Sequence, residues 1–396
     1  MDLGIGIPVN FKNWMALGTL FASFGLAAAA FAWLVASNVI PSFLAKFMLI
    51  VPAPVAATSA VGWFLVTDGS EYAVRDKQVV AQRSQQWGEG ERAMAALNRA
   101  QASFDRFEYV LARGHYERAL ELYRKSGNGL GEGLALLGHA DTDRRAARFG
   151  NARDNYTAAL ALFDAENNRA GSAQAKRGLG ELDRRLERLD TARTRYSESR
   201  ALFRSIADPS GEARAVLGLA ETERQAGEFA RADRHYRDAL TLSATAADRF
   251  VAGYARLGLG DLAALDGRAN DAADLYRSAF DIFREMRRPA GEADAAFALA
   301  EHAARARQWP EAIERYGASL QLHRKTANPR GEAYTLIGLA AAERRAGQTG
   351  GAADPLAKAQ EILSSLSDSA GHQLARQVVA TNGGYSFTPR VHRRDL

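Results

Sequence analysis

Residues 211–243 read GEARAVLGLAETERQAGEFARADRHYRDALTLS. Small and apolar side chains recur every three or four positions in two runs, which is the period of one face of an α-helix. The runs are separated near AGEF (226–229), so the stretch encodes two antiparallel helices. The same register returns every 40 residues with no insertion or deletion. Small residues stand at Gly138, Gly178, Gly218, Gly258, Ala298 and Gly338, and again two positions later at Ala140, Gly180, Ala220, Gly260, Ala300 and Ala340. In the second run Ala232 is followed by Tyr236 and Ala239, and this triplet recurs as Ala152, Tyr156 and Ala159 and as Ala272, Tyr276 and Ala279.

These columns have physical meanings. Gly or Ala is required where helix backbones touch, because a larger side chain would push the axes apart. The Tyr rings fill the space beside that contact, with their hydroxyls reaching toward the edge. Between units, ADPSGEA (207–213) and RRPAGEA (287–293) stop one helix, and Glu212, Glu292 and Glu332 open the next at its positive dipole end. One pair cannot bury its apolar face alone, so the units must stack.

The columns Leu219, Ala220, Ala232, Tyr236, Ala239 and Leu259, Gly260, Ala272, Tyr276, Ala279 resemble the tetratricopeptide repeat family. The 40-residue period is similar to its longer-helix, Pins-like subclass. The resemblance covers residues 92–380 and implies an all-α fold: an α-solenoid of about seven helix pairs plus a capping helix around Gly371–Ala380. It also implies a concave groove that binds a peptide or a segment of a partner protein. Carrying the family's groove positions onto this chain selects an acidic ladder, Asp141, Glu181, Glu221, Asp261 and Glu301. It selects a basic one as well, Arg144, Arg184, Arg224 and Arg344, flanked by Arg145, Arg185, Arg305 and Arg345. Two readings stay open for these residues. They form i, i+3 and i, i+4 helix pairs of ~0.2–0.5 kcal/mol each, or the Arg forks grip carboxylates of an extended ligand.

Upstream of the repeats the chain changes character. Trp14 to Ala36 is uncharged over 23 residues, and at ~1.5 Å per residue it is long enough to cross a ~30 Å hydrocarbon layer. A second apolar segment, about 43–66, follows a short turn and is interrupted by Pro52 and Pro54. Residues 1–67 therefore read as a membrane anchor of two transmembrane helices, about 14–36 and 43–66, touching the lipid bilayer through residues 14–66. Lys12, Arg75, Lys77 and Arg83 outside the spans, against Lys46 in the turn, place the repeats on the cytoplasmic side of a bacterial inner membrane. If the second segment does not span, they lie in the periplasm. Residues 68–91 read as a helical connector and 381–396 as a disordered tail ending in Arg390, Arg393 and Arg394.

Composition narrows the function. The chain of 396 residues has no Cys, which removes thiolate metal sites and cysteine nucleophiles. A net charge of +5 from 51 basic and 46 acidic residues does not point to a nucleic acid partner. Gly127, Gly129, Gly131 and Gly133 mimic a phosphate loop but lie between two repeat helices with no Lys following. The His residues show no metal-ligand spacing, and no Ser sits in a nucleophile elbow. The expectation is a non-enzymatic, cofactor-free scaffold that brings a protein partner to the membrane. The alternative is a permanent accessory subunit of a bacterial envelope complex, which exposed apolar residues on the convex face would favour.

Overall fold

A computed structural model describes residues 71–348, 353–366 and 368–381. The chain divides into two units, 1–85 and 86–396. Of the first only the opening turns of one helix are described, so the expected spans 14–36 and 43–66 and the tail beyond Thr381 lie outside the described residues. Among the described residues no helix is long and apolar enough to cross a membrane.

The second unit is a solenoid built of helices and turns. Helix α1 (Glu71–Asp105) runs without a break through the expected connector boundary at 91. It is followed by α2 (Tyr109–Ser126), α3 (Gly129–Arg145), α4 (Phe149–Ala165), α5 (Arg169–Arg185), α6 (Leu189–Ser205), α7 (Pro209–Ala226) and α8 (Phe229–Ala246). Then come α9 (Arg249–Leu265), α10 (Ala269–Glu285), α11 (Pro289–Arg305), α12 (Trp309–Lys325), α13 (Pro329–Arg345), α14 (Ala353–Ser365) and α15 (Ser369–Ala380). The end of α1 pairs with α2, α3 with α4, and so on to α13 with α14, leaving α15 as the cap. The described residues thus hold seven pairs and one closing helix.

Each turn is chemically specified. The residue just past every helix from α1 to α13 has positive φ, and these positions fall every 20 residues from Phe107 to Gly347. Four are Gly (127, 227, 267 and 347), whereas nine are not, among them Ala147, Ala207, Ala247 and Ala327. Next in line comes a capping residue for the first helix of each pair. The side chains of Asn128, Asn168, Asp208, Asp248, Asn328 and Asp368 each accept a hydrogen bond from the backbone N–H three residues later. Arg288 breaks this column, and there Pro289 at the first helical position supplies the preset φ. The first-turn Glu residues also bond backwards. Glu212 pairs with Arg204 at 2.5 Å, and Glu332 with Arg324 at 2.8 Å. Gly127, Asn128 and Gly129 form one of these turns, as the spacing predicts.

The small-residue columns divide their work between two neighbours. A Cβ on Gly178, Gly218 or Gly258 would meet the ring of Tyr156, Tyr196 or Tyr236 at 2.4, 2.3 and 2.1 Å, so this column receives the Tyr of the preceding pair. A Cβ on Gly260 would instead meet Tyr276 of its own pair at 2.5 Å. A further column has Phe163, Phe203 and Phe283 packed against Gly171, Gly211 and Gly291. In the fourth pair the aromatic becomes Ser243, and the residue opposite grows to Val251. Volume is conserved across the contact, as close packing demands.

Candidate functional site

The residues selected by the groove positions are brought into one line, but mostly inside the stack. Each ladder carboxylate accepts a hydrogen bond from the Tyr hydroxyl 15 residues later. The distances are 2.5 Å for Tyr156 to Asp141, 2.9 Å for Tyr196 to Glu181, 2.5 Å for Tyr236 to Glu221 and 2.9 Å for Tyr276 to Asp261, and Tyr316 donates to Glu301. The hydroxyls are therefore tied to the neighbouring helix of the same pair and do not project to an edge. The Arg residues alternate with the acids. Arg144 meets Asp141 at 3.1 Å and Glu181 at 4.0 Å. Arg184 meets Glu181 at 2.9 Å, while Arg224 meets Glu221 at 2.8 Å and Asp261 at 4.0 Å. Ala264 and Ala304 then occupy the Arg column and Ala341 the acid column beside Arg344, so the alternation of acid and base ends at Asp261.

The burial of this line gives it an unusual electrostatic character. Arg184 is 1% exposed, and Arg144, Arg224, Glu221, Asp261 and Glu301 are also buried. Burial alone would raise the Glu181 carboxyl, but Arg184, Arg185 and Arg144 together hold it down at about 2. Burial would likewise lower Arg224, and Glu221 with its neighbours lifts it well above its ordinary value instead. These groups satisfy one another, so the ladder fastens pairs together. Arg185 pairs with Glu181 at 2.9 Å, Arg344 is half-buried, and Arg145, Arg305 and Arg345 are exposed. A parallel row, whose acids are buried and whose Arg are half-buried, has no counterpart in the groove positions. Arg153 reaches Asp183 at 2.7 Å, and Arg193 reaches Glu223 at 2.9 and 3.0 Å, each across a pair boundary. The 30-residue offset between Arg153 and Asp183 and between Arg193 and Glu223 was its available signal. His139 sits against Asn155 and Asp143, a structural position.

Two of the groove-position residues, Arg145 and Arg185, line open space. A cavity of about 430 Å³ is lined by Phe104, Phe107 and Tyr109 from the first pair, by Arg145 and Arg185, and by Phe250 and Tyr254 of α9. Its remaining wall is the turns around Arg287, Arg288 and Pro329, together with Asp294. Residues more than 140 positions apart share a cavity in a stack of neighbours only if the stack curls back on itself, so this is the inner wall. The aromatic groups are pre-arranged. Phe104 and Tyr109 stand edge to face at 5.6 Å, as do Phe250 and Tyr254 at 4.8 Å. The Tyr254 hydroxyl donates to Asp294 at 3.3 Å. Burial raises the Tyr109 phenol, while Arg145, Arg144 and Arg185 pull it down, which marks a positive potential at that ring. Four Arg against Asp105 and Asp294 leave the lining with two positive charges in excess. Among the described residues, no group of three His, Asp or Glu is placed to hold a metal ion.

Residues 171–245 match a family model described as tetratricopeptide repeat. No curated protein matches the sequence. Solved structures match in fold. Aspartyl phosphate phosphatase F from Bacillus subtilis shares 10% identity over 87% of this chain and 84% of its own, with a TM-score of 0.56. The Rap conjugation gene regulator of the plasmid pLS20, solved in complex with the Phr peptide, shares 13% identity over 76% of this chain and 98% of its own, with a TM-score of 0.54. A signal transduction ATPase with a tetratricopeptide repeat sensor, from Pyrococcus horikoshii, shares 15% identity over 88% of this chain and 53% of its own, with a TM-score of 0.54. At these identities the likeness is one of fold. Its extent agrees with the helix pairing above: residues 171–245 carry the tetratricopeptide pattern, and the described chain is a solenoid of TPR-like helix pairs.

Proposed function

We propose that this chain is a membrane-anchored, non-catalytic scaffold whose repeat array captures a segment of a partner protein in the inner cavity. The observation that carries the reading is that cavity's lining. Its aromatic rings supply apolar contact area, and its surplus Arg forks select a segment with acidic groups beside aromatic or leucine side chains. The Rap regulator similar in fold was solved with a peptide, which supports a peptide or protein segment as the ligand class. The apolar segments at 14–36, without a charge, and 43–66, carrying only Lys46, support insertion in a bacterial inner membrane, and the surplus of Lys and Arg flanking them supports a cytoplasmic array. Among the described residues, five of the eight exposed large apolar side chains, Met94, Val110, Leu111, Leu130 and Leu134, fall in the first two pairs. Later pairs have a more polar exterior, which favours reversible capture over permanent packing along the whole array.

The structure dictates how to test this. Arg184 and Arg224 hold the stack together, so substituting them would confuse binding with folding. Arg145 and Arg288 are exposed at the cavity. Proximity labelling and co-purification from membranes should lose the partner in an Arg145→Glu, Arg288→Glu double variant, and equally in Tyr109→Ala, with far-UV circular dichroism unchanged. Unaltered partner recovery in both variants refutes the inner-cavity reading. A reporter active only in the periplasm, fused after Leu396, tests the orientation by staying silent.

A further inference from the structure

A second cavity, of about 770 Å³, lies among the turns that join the helices of the fifth and sixth pairs. An ion pair present at two earlier pair boundaries is missing here. The matching space is occupied by Arg153 with Asp183 between the second and third pairs and by Arg193 with Glu223 between the third and fourth, while Asp233 and Ala263 stand there between the fourth and fifth. The matching positions between α10 and α11 are Ala273 and Ala303, both buried and both lining the cavity. Replacing two long charged side chains with two methyl groups leaves the volume they would have filled. Ala269, Leu299 and Ala306 extend this apolar floor.

Polar groups converge on the rim from three helices. His302 and Arg305 come from α11, Asp274 and Arg277 from α10, and Glu311 from α12. Asp274 is already engaged by Arg277 at 2.6 Å, and Glu311 by Arg315 at 3.4 Å. His302 stands where Arg305 and Arg277 outweigh Glu311. After burial, these two cations are the next influences holding its imidazole below the usual value. The local field at that ring is therefore positive and suits an anion. A volume of this size lies within the ~300–1,000 Å³ range of small-molecule pockets, far above what a bare inorganic anion needs.

We propose that the cavity between α10 and α11 is a binding site for a small carboxylate with an apolar body, its carboxylate at His302, Arg277 and Arg305 and its body on the Ala273, Ala303 and Leu299 floor. This site is separate from the inner cavity and does not depend on the partner-capture reading.

The test uses the full-length chain in micelles and a pair of probes of similar shape and opposite charge, phenylacetate and phenethylammonium, in calorimetric titrations. Phenylacetate should bind and phenethylammonium should not. The key variant is Ala273→Arg with Ala303→Asp, which installs the ion pair held at the boundaries of the second with the third pair and of the third with the fourth. It should keep or raise the thermal midpoint while weakening phenylacetate by at least about tenfold, equivalent to ~1.4 kcal/mol. His302→Gln should weaken it similarly. The proposal is overturned if phenylacetate fails to bind the native chain, if phenethylammonium binds as well, or if either variant leaves the affinity unchanged.

Discussion

Neutralising Glu181 tests whether the buried ladder is what fastens the pairs. Glu181 accepts from Arg184 Nη2 at 2.9 Å, Arg185 Nε at 2.9 Å and the Tyr196 hydroxyl at 2.9 Å, and it lies 4.0 Å from Arg144. Its carboxyl is lowered from 4.5 to about 2. A downward shift of that size corresponds to about 3 kcal/mol of stability, since each unit is worth ~1.4 kcal/mol. Glu181→Gln should therefore lose about 3 kcal/mol at pH 7, in the range expected when one partner of a buried ion pair is removed. Because the folded carboxyl is the stronger acid, its contribution is complete above about pH 4.5 and disappears as the pH falls through about 2. The gap between native and variant in urea unfolding, followed by circular dichroism, should narrow over that window. Coupling in the stack runs chiefly between adjacent pairs, so the loss should be concentrated in α3 to α8 and appear there as faster amide exchange. Replacing Glu181 and Arg184 together with Met should cost less than the sum of the two single changes, by about 1–3 kcal/mol of coupling. A Glu181→Gln deficit below about 0.5 kcal/mol at pH 7, or one that persists undiminished at pH 2, refutes the ladder as a fastener.

Three further outcomes follow from local geometry. Ala147, Ala207, Ala247 and Ala327 hold φ of 58°, 53°, 52° and 49°, so changing any of them to Gly should raise stability by about 0.5–1 kcal/mol in thermal melts, and a loss would contradict the strain argument. A Cβ on Gly211 would lie 2.3 Å from the Phe203 ring, so Gly211→Val alone should cost at least about 2 kcal/mol. Phe203→Ser alone should cost about 3–5 kcal/mol, and the double change, which copies Ser243 and Val251, should recover at least half of the combined loss. Asn168→Ala removes the acceptor for the Gly171 N–H at 2.8 Å and should cost about 1 kcal/mol, read by earlier urea unfolding.

Much of this architecture was legible because the period is strict. The 40-residue register locates the helix pairs, the small-residue columns and the turn at Gly127 to Gly129. Which neighbour a column faces was not legible, because a period is silent about direction: Gly218 receives Tyr196 of the preceding pair, while Gly260 receives Tyr276 of its own. The capping column from Asn128 to Asp368 and the Phe column from Phe163 to Phe283 were equally periodic and available. The burial of Arg184 and Arg224 was hidden for a different reason. Charged side chains at helical spacing look alike whether water or a second ladder surrounds them. The inner cavity could not be read along the chain at all, since Phe104 and Phe250 come to line one space only through the summed rotation of the pairs between them.

That summation has a mechanical consequence. A stack of identical joints behaves as a spring, and small deviations at each of the turns between Phe107 and Arg287 add in phase at the far end. An occupant touching both Tyr109 and Tyr254 ties two coils of that spring together. On the proposed reading its arrival would convert an extensible helix into a closed clasp, so that occupancy would be felt as stiffness in every pair between the two contacts and not only at the walls of the cavity.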